Sequence, residues 1–337
     1  MQQFNSDLAP YVCPWRVRPL LNATDLQNFA AELRERLAVV ELNHDLEWLK
    51  AGLGPHEEIL VFAAGGDSGL TGAMPLRVAP GKIQYTLGRF RLFSKAVHQV
   101  NLVQGPLTKA GDRRAALLEA LECLSATIPS NGVVFASAVP CDSDFHALLE
   151  ERDSPLRKCF RIFKWGDPNW HCNIDWTGRV EDYLATLGAD SRRNFKRYAK
   201  KLFANQDLQA VVERFRSSAE VDRFMTDGIA VSDKTYQKTE LGLGLERGGA
   251  TERRFRFAAA RDGFLGHILY LRGKPVAFHY GFIFGETFFV VQMGYDPAYA
   301  QHQPGAVLFF RVLQDVERLG LPVKTIDCLP GVTDFKL

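Results

Sequence analysis

The segment Gln303-Pro304-Gly305-Ala306 has the residue types of an anion-binding helix start. Proline is tolerated in a first helical turn, Gly305 and Ala306 leave the backbone bare, and apolar residues at helical spacing follow as far as Val316. Such a terminus offers free backbone N–H groups and the positive end of the helix dipole. The pattern predicts a site for a pyrophosphate or a similar anion on residues 303–307.

The elements around this segment are predicted from the apolar periodicity of the chain. A helix at 252–261 precedes three strands, at 265–271, 275–284 and 287–294, and the helix at 305–319 is followed by a strand at 323–327. That last strand leads into a tail that runs from Asp327 through Leu329, Gly331 and Phe335 to Lys336.

This order of elements and the Asp327–Lys336 tail resemble the core of the GNAT acyltransferases, in the CelD/BioF2-like branch. The resemblance extends from about Ile174 to Lys336. The usual family pattern at the helix start is Arg or Gln, two residues, Gly, one residue, Gly. When the pattern is aligned on Gly305, Ala300 occupies the Arg or Gln position and Gln303 occupies the position of the first glycine. Only the second glycine is therefore present.

The resemblance implies an N-acyltransferase that moves an acyl group from acetyl-CoA or a longer acyl-CoA to an amine, such as that of an amino sugar or a cell-envelope or polysaccharide precursor. It implies no metal. It places the coenzyme's pyrophosphate on Gln303, Gly305 and Ala306, and its pantetheine arm along Val291 and Met293 of the third strand.

A basic amphipathic helix is predicted at 190–203. Its outer surface carries two rows of cations at i, i+4 spacing, which are Arg192, Lys196, Lys200 and Arg193, Arg197, Lys201. Such a surface is either an ordinary solvated face or an anion clamp, for the coenzyme's 3′-phosphate, an anionic glycan or lipid acceptor, or tRNA. We assign Arg193 and Arg197 to the coenzyme under the second interpretation.

An ammonium acceptor must lose a proton before it attacks a thioester. Asp327 is the first candidate for the base or for the ammonium anchor, and its alternative role is to cap the following turn. Lys336 is the second candidate, as a donor to the oxyanion or to a phosphate oxygen.

Polar side chains on or beside the predicted strands complete the candidate site. Gln292 and Tyr280 are assigned to the chemistry, and Tyr236, Gln237 and Tyr295 to the acceptor. The glycine-rich segment 241–249 that follows Gln237 is either a lid or acceptor-reading element, or an ordinary surface connection.

The N-terminal half repeats the order of helices, three strands, helix and strand, with strands predicted at 59–64, 72–78 and 83–87. We therefore predict a mixed α/β fold of two GNAT-like domains in tandem, the architecture of the Fem aminoacyl transferases. The predicted domains are 1–166, which is non-catalytic, and 167–337, which is catalytic. The boundary falls in the turn cluster 166–169, after a strand predicted at 160–165.

Composition fits a globular enzyme, with 46% hydrophobic and 24% charged residues. A net charge of +2 indicates no general affinity for polyanions, and the six cysteines lack zinc-site spacing. No apolar run is long enough to span a bilayer and no secretory signal is evident, so a cytoplasmic location is expected. Two other functions stay open: a Fem-like transferase that uses aminoacyl-tRNA, with the basic helix as its tRNA contact, and a non-catalytic accessory protein of polysaccharide synthesis.

Overall fold

The computed structural model describes residues 14–20, 22–37, 42–66, 69–87, 90–109, 113–164, 166, 168, 171–240 and 242–330. Lys336 and the tail after Pro330, which carried part of the resemblance, lie outside these residues. Contacts between Cα atoms divide the chain into two compact units, residues 1–166 and 167–337. Within the described ranges, no helix combines the length and the apolar character that a bilayer crossing requires.

The N-terminal unit is a sheet with helices on both faces. Its strands are β1 Trp15–Arg18, β2 Glu58–Gly66, β3 Gly69–Leu87, β4 Phe90–Val103, β5 Leu107–Thr108 and β6 Gly132–Ser137. Its helices are α1 Ala23–Leu37, α2 Leu46–Ala51, α3 Arg113–Thr127, α4 Asp144–Glu150 and α5 Leu156–Cys159.

The strand order in this unit is β1-β2-β3-β4-β6, with β5 beside β3. Neighbouring residues of β2 point to opposite faces, so that Val61 joins the core under α1 and α2, and Phe62 joins the core under α3 and α4. The parallel pair β4 and β6 stays in register from His98 opposite Gly132 to Val103 opposite Ser137.

Part of the β3–β4 hairpin extends past this sheet. Residues 81–87 and 90–97 pair only with one another among the residues that the structure describes. We call this two-stranded segment the ribbon.

The C-terminal unit contains a second mixed sheet. Its strands are β7 His171–Asp175, β8 Val211–Phe215, β9 Phe264–Leu271, β10 Lys274–Phe284, β11 Thr287–Tyr295 and β12 Thr325–Pro330. Its helices are α6 Val180–Thr186, α7 Ala189–Ala204, α8 Val221–Ser232, α9 Tyr236–Thr239, α10 Ala250–Ala259 and α11 Pro304–Leu319.

The strand order here is β7-β12-β11-β10-β9-β8, antiparallel except for β11 and β12. Helices α6, α7 and α11 cover one face of the sheet. An aromatic cluster on the other face joins Phe224 of α8 and Phe255 of α10 to Phe264 and Tyr280 of the sheet. Because β9 and β10 are covered on both faces, they appear in the sequence as nearly continuous apolar runs.

The mixed α/β class is confirmed, and so are the predicted strands β9 to β11 and helix α11, to within one residue at each end. Two predictions for the N-terminal half were wrong. The strand expected at 83–87 is the end of a single long strand that begins at Gly69. The strand expected at 160–165 is absent from 160–164, where Phe160 and Ile162 pack against the core without strand pairing.

Candidate functional site

The most distinctive feature of the C-terminal sheet is the divergence of β11 from β12. The two strands pair only at Thr287–Thr325, Phe288–Ile326 and Phe289–Asp327. Farther along, β11 continues to Tyr295, whereas β12 continues beside β7. Backbone groups on this edge of residues 290–294 therefore have no strand partner among the described residues, and an extended ligand arm could pair with them.

A β-bulge lies where the strands part. Tyr280 of β10 pairs with Gln292, and the next residue, Gly281, pairs with Val290, so that Val291 is the extra residue on β11. A β-carbon on Gly281 would collide with the carbonyl oxygen of Phe289 and the ring of Phe288. Gly281 therefore lets β11 approach β10 at the bulge. Two predicted coenzyme-arm residues, Val291 and Met293, are thus located on the diverging part of β11.

Helix α11 begins a few residues after β11. Gln303 has left-handed backbone angles (φ 52°, ψ 48°) and gives the helix no side-chain cap. The first bond of the helix runs from the N–H of Val307 to the carbonyl of Gln303. The N–H groups of Gly305 and Ala306 therefore have no helical acceptor, as anion binding at this terminus would require. The N–H of Gln303, which the sequence analysis included in the site, instead donates to the carbonyl of Ala300.

Tyr295 lies beside this helix start. A β-carbon on Gly305 would be 3.5 Å from its Cδ1 atom, an ordinary contact. The structure thus brings a residue that we had assigned to the acceptor next to the predicted pyrophosphate site.

The segment between α8 and residue 243 is fastened to the end of β11. Lys234 Nζ lies 2.8 Å from Asp296 Oδ2, and Gln237 Nε2 lies 3.5 Å from the carbonyl oxygen of Met293. Burial alone would raise the pKa of Asp296, but the bonds from Lys234 and from the N–H of Ala298 leave it lowered. Gln237 is therefore close to the diverging strand, as expected of an acceptor-side residue.

Tyr236, on the same segment, is 60% exposed. No sequence pattern predicted the Lys234–Asp296 ion pair, because its partners are far apart in the chain.

Tyr280 and Gln292 form a hydrogen-bonded pair. The Tyr280 hydroxyl donates to Gln292 Oε1 at 3.1 Å, and Gln292 Nε2 donates to the carbonyl of Leu243 at 3.3 Å. Burial raises the pKa of Tyr280, so its hydroxyl stays protonated at neutral pH. Both polar ends of the Gln292 amide are engaged, which favours a role for the pair in holding residue 243 against β11.

Asp327 lies at the point of divergence, opposite Phe289 in the last pair that joins β11 to β12. Its side chain is buried, and its Oδ1 atom accepts the N–H of Leu329 at 2.7 Å. This bond is the turn-capping contact that we had considered as the alternative role. The carboxylate therefore has a structural contact where the two strands part. We call the gap between the diverging parts of β11 and β12 the cleft, and this point its apex.

The basic surface of α7 is exposed and only partly neutralised. Arg193 pairs with Asp190, and Lys196 pairs with Glu181 at 2.8 Å. Among the described residues no carboxylate pairs with the remaining cations of the two rows, Arg192, Arg197, Lys200 and Lys201. The buried face of α7 meets α11 through Phe195 and Phe310, whose ring centroids are 6.2 Å apart. No described contact joins Arg193 or Arg197 to residues 303–306.

A buried histidine pair was not predicted from the sequence. His267 and His279 are opposite each other on β9 and β10, with their Nδ1 atoms 3.4 Å apart. His267 Nε2 lies 3.0 Å from Asp315 Oδ2 on α11. The carboxylate must accept, so His267 carries its proton on Nε2 when neutral, and His279 donates from Nδ1.

Burial lowers the pKa of both imidazoles, and most strongly that of His279, whose Nε2 has no partner in the described part of the chain. Burial would raise the pKa of Asp315, but His267, Arg214 and Arg318 outweigh it and leave it lowered. This face of the sheet thus holds two neutral histidines and one ionised aspartate.

Residues 189–337 match the family model of the acetyltransferase (GNAT) domain. FemX superposes with a TM-score of 0.53 at 10% identity, over 95% of this chain and 90% of that chain. A conserved protein of unknown function from Bacteroides thetaiotaomicron VPI-5482 gives 0.50 at 14% identity, over 95% and 92%. A tandem GNAT protein from the clavulanic acid biosynthesis pathway gives 0.49 at 10% identity, over 95% and 90%. No curated protein matches the sequence.

These similarities confirm the GNAT resemblance and the Fem-like tandem architecture. The chain has the fold of the GNAT acyltransferases, and the part that matches the family model lies in its C-terminal unit. At such low identities the solved structures establish the fold alone, and the CelD-like branch stays a prediction.

Proposed function

We propose that the C-terminal unit transfers an acyl group from an acyl-coenzyme A to the amine of a small molecule or glycan precursor. The observation that carries this proposal is the divergence of β11 from β12 next to an uncapped helix start. The free edge of residues 290–294 fits an extended amide-containing arm, and the N–H groups of Gly305 and Ala306 fit a phosphate. The bound thioester would supply the activated acyl group.

Asp327 is the proposed base or ammonium anchor. It is located at the apex of the cleft, where residue 289 ends the pairing of the two strands. Removing a proton from an alkylammonium group at neutral pH needs a nearby acceptor, and a carboxylate also attracts the cation before the transfer. The bond from the N–H of Leu329 would hold this carboxylate in position. Lys336 stays a candidate donor to the oxyanion.

The acceptor is proposed to enter beside Tyr236 and Gln237. Their segment is fixed to β11 through Gln237, Lys234 and the contact between Gln292 and Leu243. Because this segment is held in place, it can select an acceptor by shape, and the exposed side chain of Tyr236 is available to contact that acceptor.

The N-terminal unit is proposed to be non-catalytic. Its strand β4 ends at Val103, which is still paired with β6, so β4 offers no free edge beyond that pairing as β11 does beyond its pairing with β12. Without such an edge, an extended coenzyme arm has no backbone groups to pair with.

The second candidate is transfer of an aminoacyl group from tRNA. The exposed cations Arg192, Arg197, Lys200 and Lys201 favour it, because a phosphate backbone binds surfaces of this kind. FemX shares the fold over most of its length, which makes this candidate worth testing.

Calorimetric titration with acetyl-CoA, coenzyme A and tRNA separates these functions. We expect coenzyme binding by the wild type, and at least about 100-fold weaker binding by Gly305→Asp, because the added carboxylate repels a phosphate at the helix start. Gly305→Ala is the matched control, since its β-carbon meets only the ring of Tyr295 at an ordinary distance. Equal binding by both variants would place the coenzyme elsewhere, and tRNA binding without coenzyme binding would favour the second candidate.

A further inference from the structure

The ribbon exposes large apolar side chains on both of its strands. Phe90 is 76% exposed, Leu92 61%, Phe93 52% and Ile83 36%. Four such residues within two short paired segments form an apolar patch that an ordinary soluble surface seldom carries. A free two-stranded ribbon is also marginally stable by itself in water. A partner that covers the patch would remove its apolar side chains from water and would also stabilise the ribbon.

The charge of the same segment has one sign. From Ser68 to Gly111 the sequence contains no aspartate or glutamate, and Lys82, Arg89, Arg91 and Lys95 fall between residues 82 and 95. Lys82 and Lys95 are exposed, and no carboxylate pairs with either of them in the part of the chain that is described. The partner of the ribbon must therefore tolerate cations and apolar groups at once.

Strand register places both kinds of residue on one face. Ile83 is opposite Lys95, and Phe93 is two residues from Lys95 on the same strand. A β-bulge at Leu92 lies between the pairs Tyr85–Phe93 and Thr86–Arg91. Lys95 thus shares a face with two exposed apolar side chains, whereas Lys82, the neighbour of Ile83 in the strand, lies on the opposite face.

Three classes of partner are conceivable, and the observations favour one. A second copy of the chain would bring the same cations together across a two-fold contact, which is unfavourable. A nucleic acid would use the cations and stack on phenylalanine, but gains little from Ile83 and Leu92. An anionic lipid surface uses all of them, because phosphate head groups attract the cations and the interfacial region takes up aliphatic and aromatic side chains.

We propose that the ribbon, residues 81–87 and 90–97, docks on an anionic lipid surface. Lys82 and Lys95, one on each face of the ribbon, lie at the level of the head groups, and Phe90 and Leu92, nearer the end of the hairpin, enter the interfacial layer. This role is independent of the acyltransferase function, because it depends only on the N-terminal unit.

Sedimentation of the full chain with vesicles tests the proposal. We expect the protein to bind vesicles of equal parts phosphatidylglycerol and phosphatidylcholine, and to bind pure phosphatidylcholine much more weakly. The double variant Lys82→Gln/Lys95→Gln should bind the anionic vesicles about 30-fold more weakly. The double variant Phe90→Ser/Leu92→Ser should bind the anionic vesicles about tenfold more weakly, and its binding should keep the salt dependence of the wild type.

Matched controls change the same residue types elsewhere. Lys50→Gln/Lys274→Gln removes two exposed cations, and Phe163→Ser removes a phenylalanine that is 83% exposed. Both controls should bind vesicles like the wild type. The proposal is overturned if the wild type ignores anionic vesicles, if the controls lose as much binding as the ribbon variants, or if the ribbon residues are required instead for tRNA binding or for dimerisation in solution.

Discussion

The two units share an order of elements and differ in how one pair of strands ends. In each unit a three-stranded meander is followed by a helix and then by a strand parallel to the last strand of the meander. In the N-terminal unit that parallel pair, β4 and β6, holds six residue pairs in register. In the C-terminal unit, β11 and β12 hold three pairs and then part.

The position of a bulge distinguishes the two sheets. Both β4 and β11 contain one extra residue, Leu92 in β4 and Val291 in β11. The bulge at Leu92 lies out on the ribbon, whereas the bulge at Val291 lies just past the last pair that β11 makes with β12. The same order of elements thus forms a sheet whose parallel pair stays together and a sheet whose parallel pair parts, and only in the second does a bulge coincide with the end of the parallel pairing.

The largest effect is expected at the open strand end. Asp327→Asn keeps an oxygen that can accept the N–H of Leu329, so the turn should survive, but it removes the charge and the basicity. Acyl transfer should slow by about 100-fold or more while coenzyme affinity changes little. Steady-state kinetics and calorimetry measure the two quantities.

Ser137→Ala, at the end of β6 in the closed sheet, is the control and should leave the rate unchanged. A fully active Asp327→Asn enzyme would remove Asp327 from the mechanism and leave it with its turn contact.

A smaller effect is expected from closing the bulge. Gly281→Ala should lower the free energy of unfolding by about 1–3 kcal/mol, because its β-carbon meets the backbone of Phe289, and it should weaken coenzyme binding by moving β11. Gly132→Ala in β6 is the matched control, since its β-carbon would lie 2.9 Å from the carbonyl oxygen of Pro129. It should destabilise the protein yet bind coenzyme normally. Normal binding by Gly281→Ala would show that the cleft is not the coenzyme site.

The smallest effect concerns pH and separates the two sheets. Below the ordinary histidine pKa of 6.5, an unfolded chain protonates His267 and His279, whereas the folded unit keeps them neutral. Lowering the pH therefore favours unfolding, by up to on the order of 1.4 kcal/mol for each histidine and pH unit.

Hydrogen exchange at several pH values can measure the loss of stability in strands β9–β11. The same measurement on strands β2–β4 provides the comparison. His279→Leu should make the pH dependence of the C-terminal strands shallower. An equal loss of protection in both sheets at low pH would mean that the histidine pair is not its cause.

Sequence patterns predicted the C-terminal core because they are strong there. Strands β9 to β11 are long apolar runs with short turns between them, and α11 has a clear helical period after Pro304. They missed β4, where residues 92–96 are all exposed and mix a cation with polar and apolar groups, so that no regular apolar alternation marks the strand. Apolar periodicity in a sequence arises from the burial of one face of an element, and few side chains of this ribbon are buried.

The details of the site were less accessible to sequence reasoning. The proximity of Tyr295 to Gly305 and of Gln237 to Met293 depends on how the chain turns between elements. The bulge at Val291 requires a glycine on the neighbouring strand, and no local pattern links the two positions. Residue types indicated which residues belong to the candidate site, but the contacts between those residues depend on the three-dimensional pairing of the strands.

The left-handed backbone of Gln303 has a consequence for how such proteins are found. The usual family pattern has glycine at this position, and glycine adopts these angles freely, whereas other residues do so at a cost of about 1–2 kcal/mol. The turn thus has torsion angles that glycine favours, although glutamine occupies the position. A search by residue letters passes over this helix start, whereas a search by backbone angles would recover it here and in any relative that has diverged in the same way.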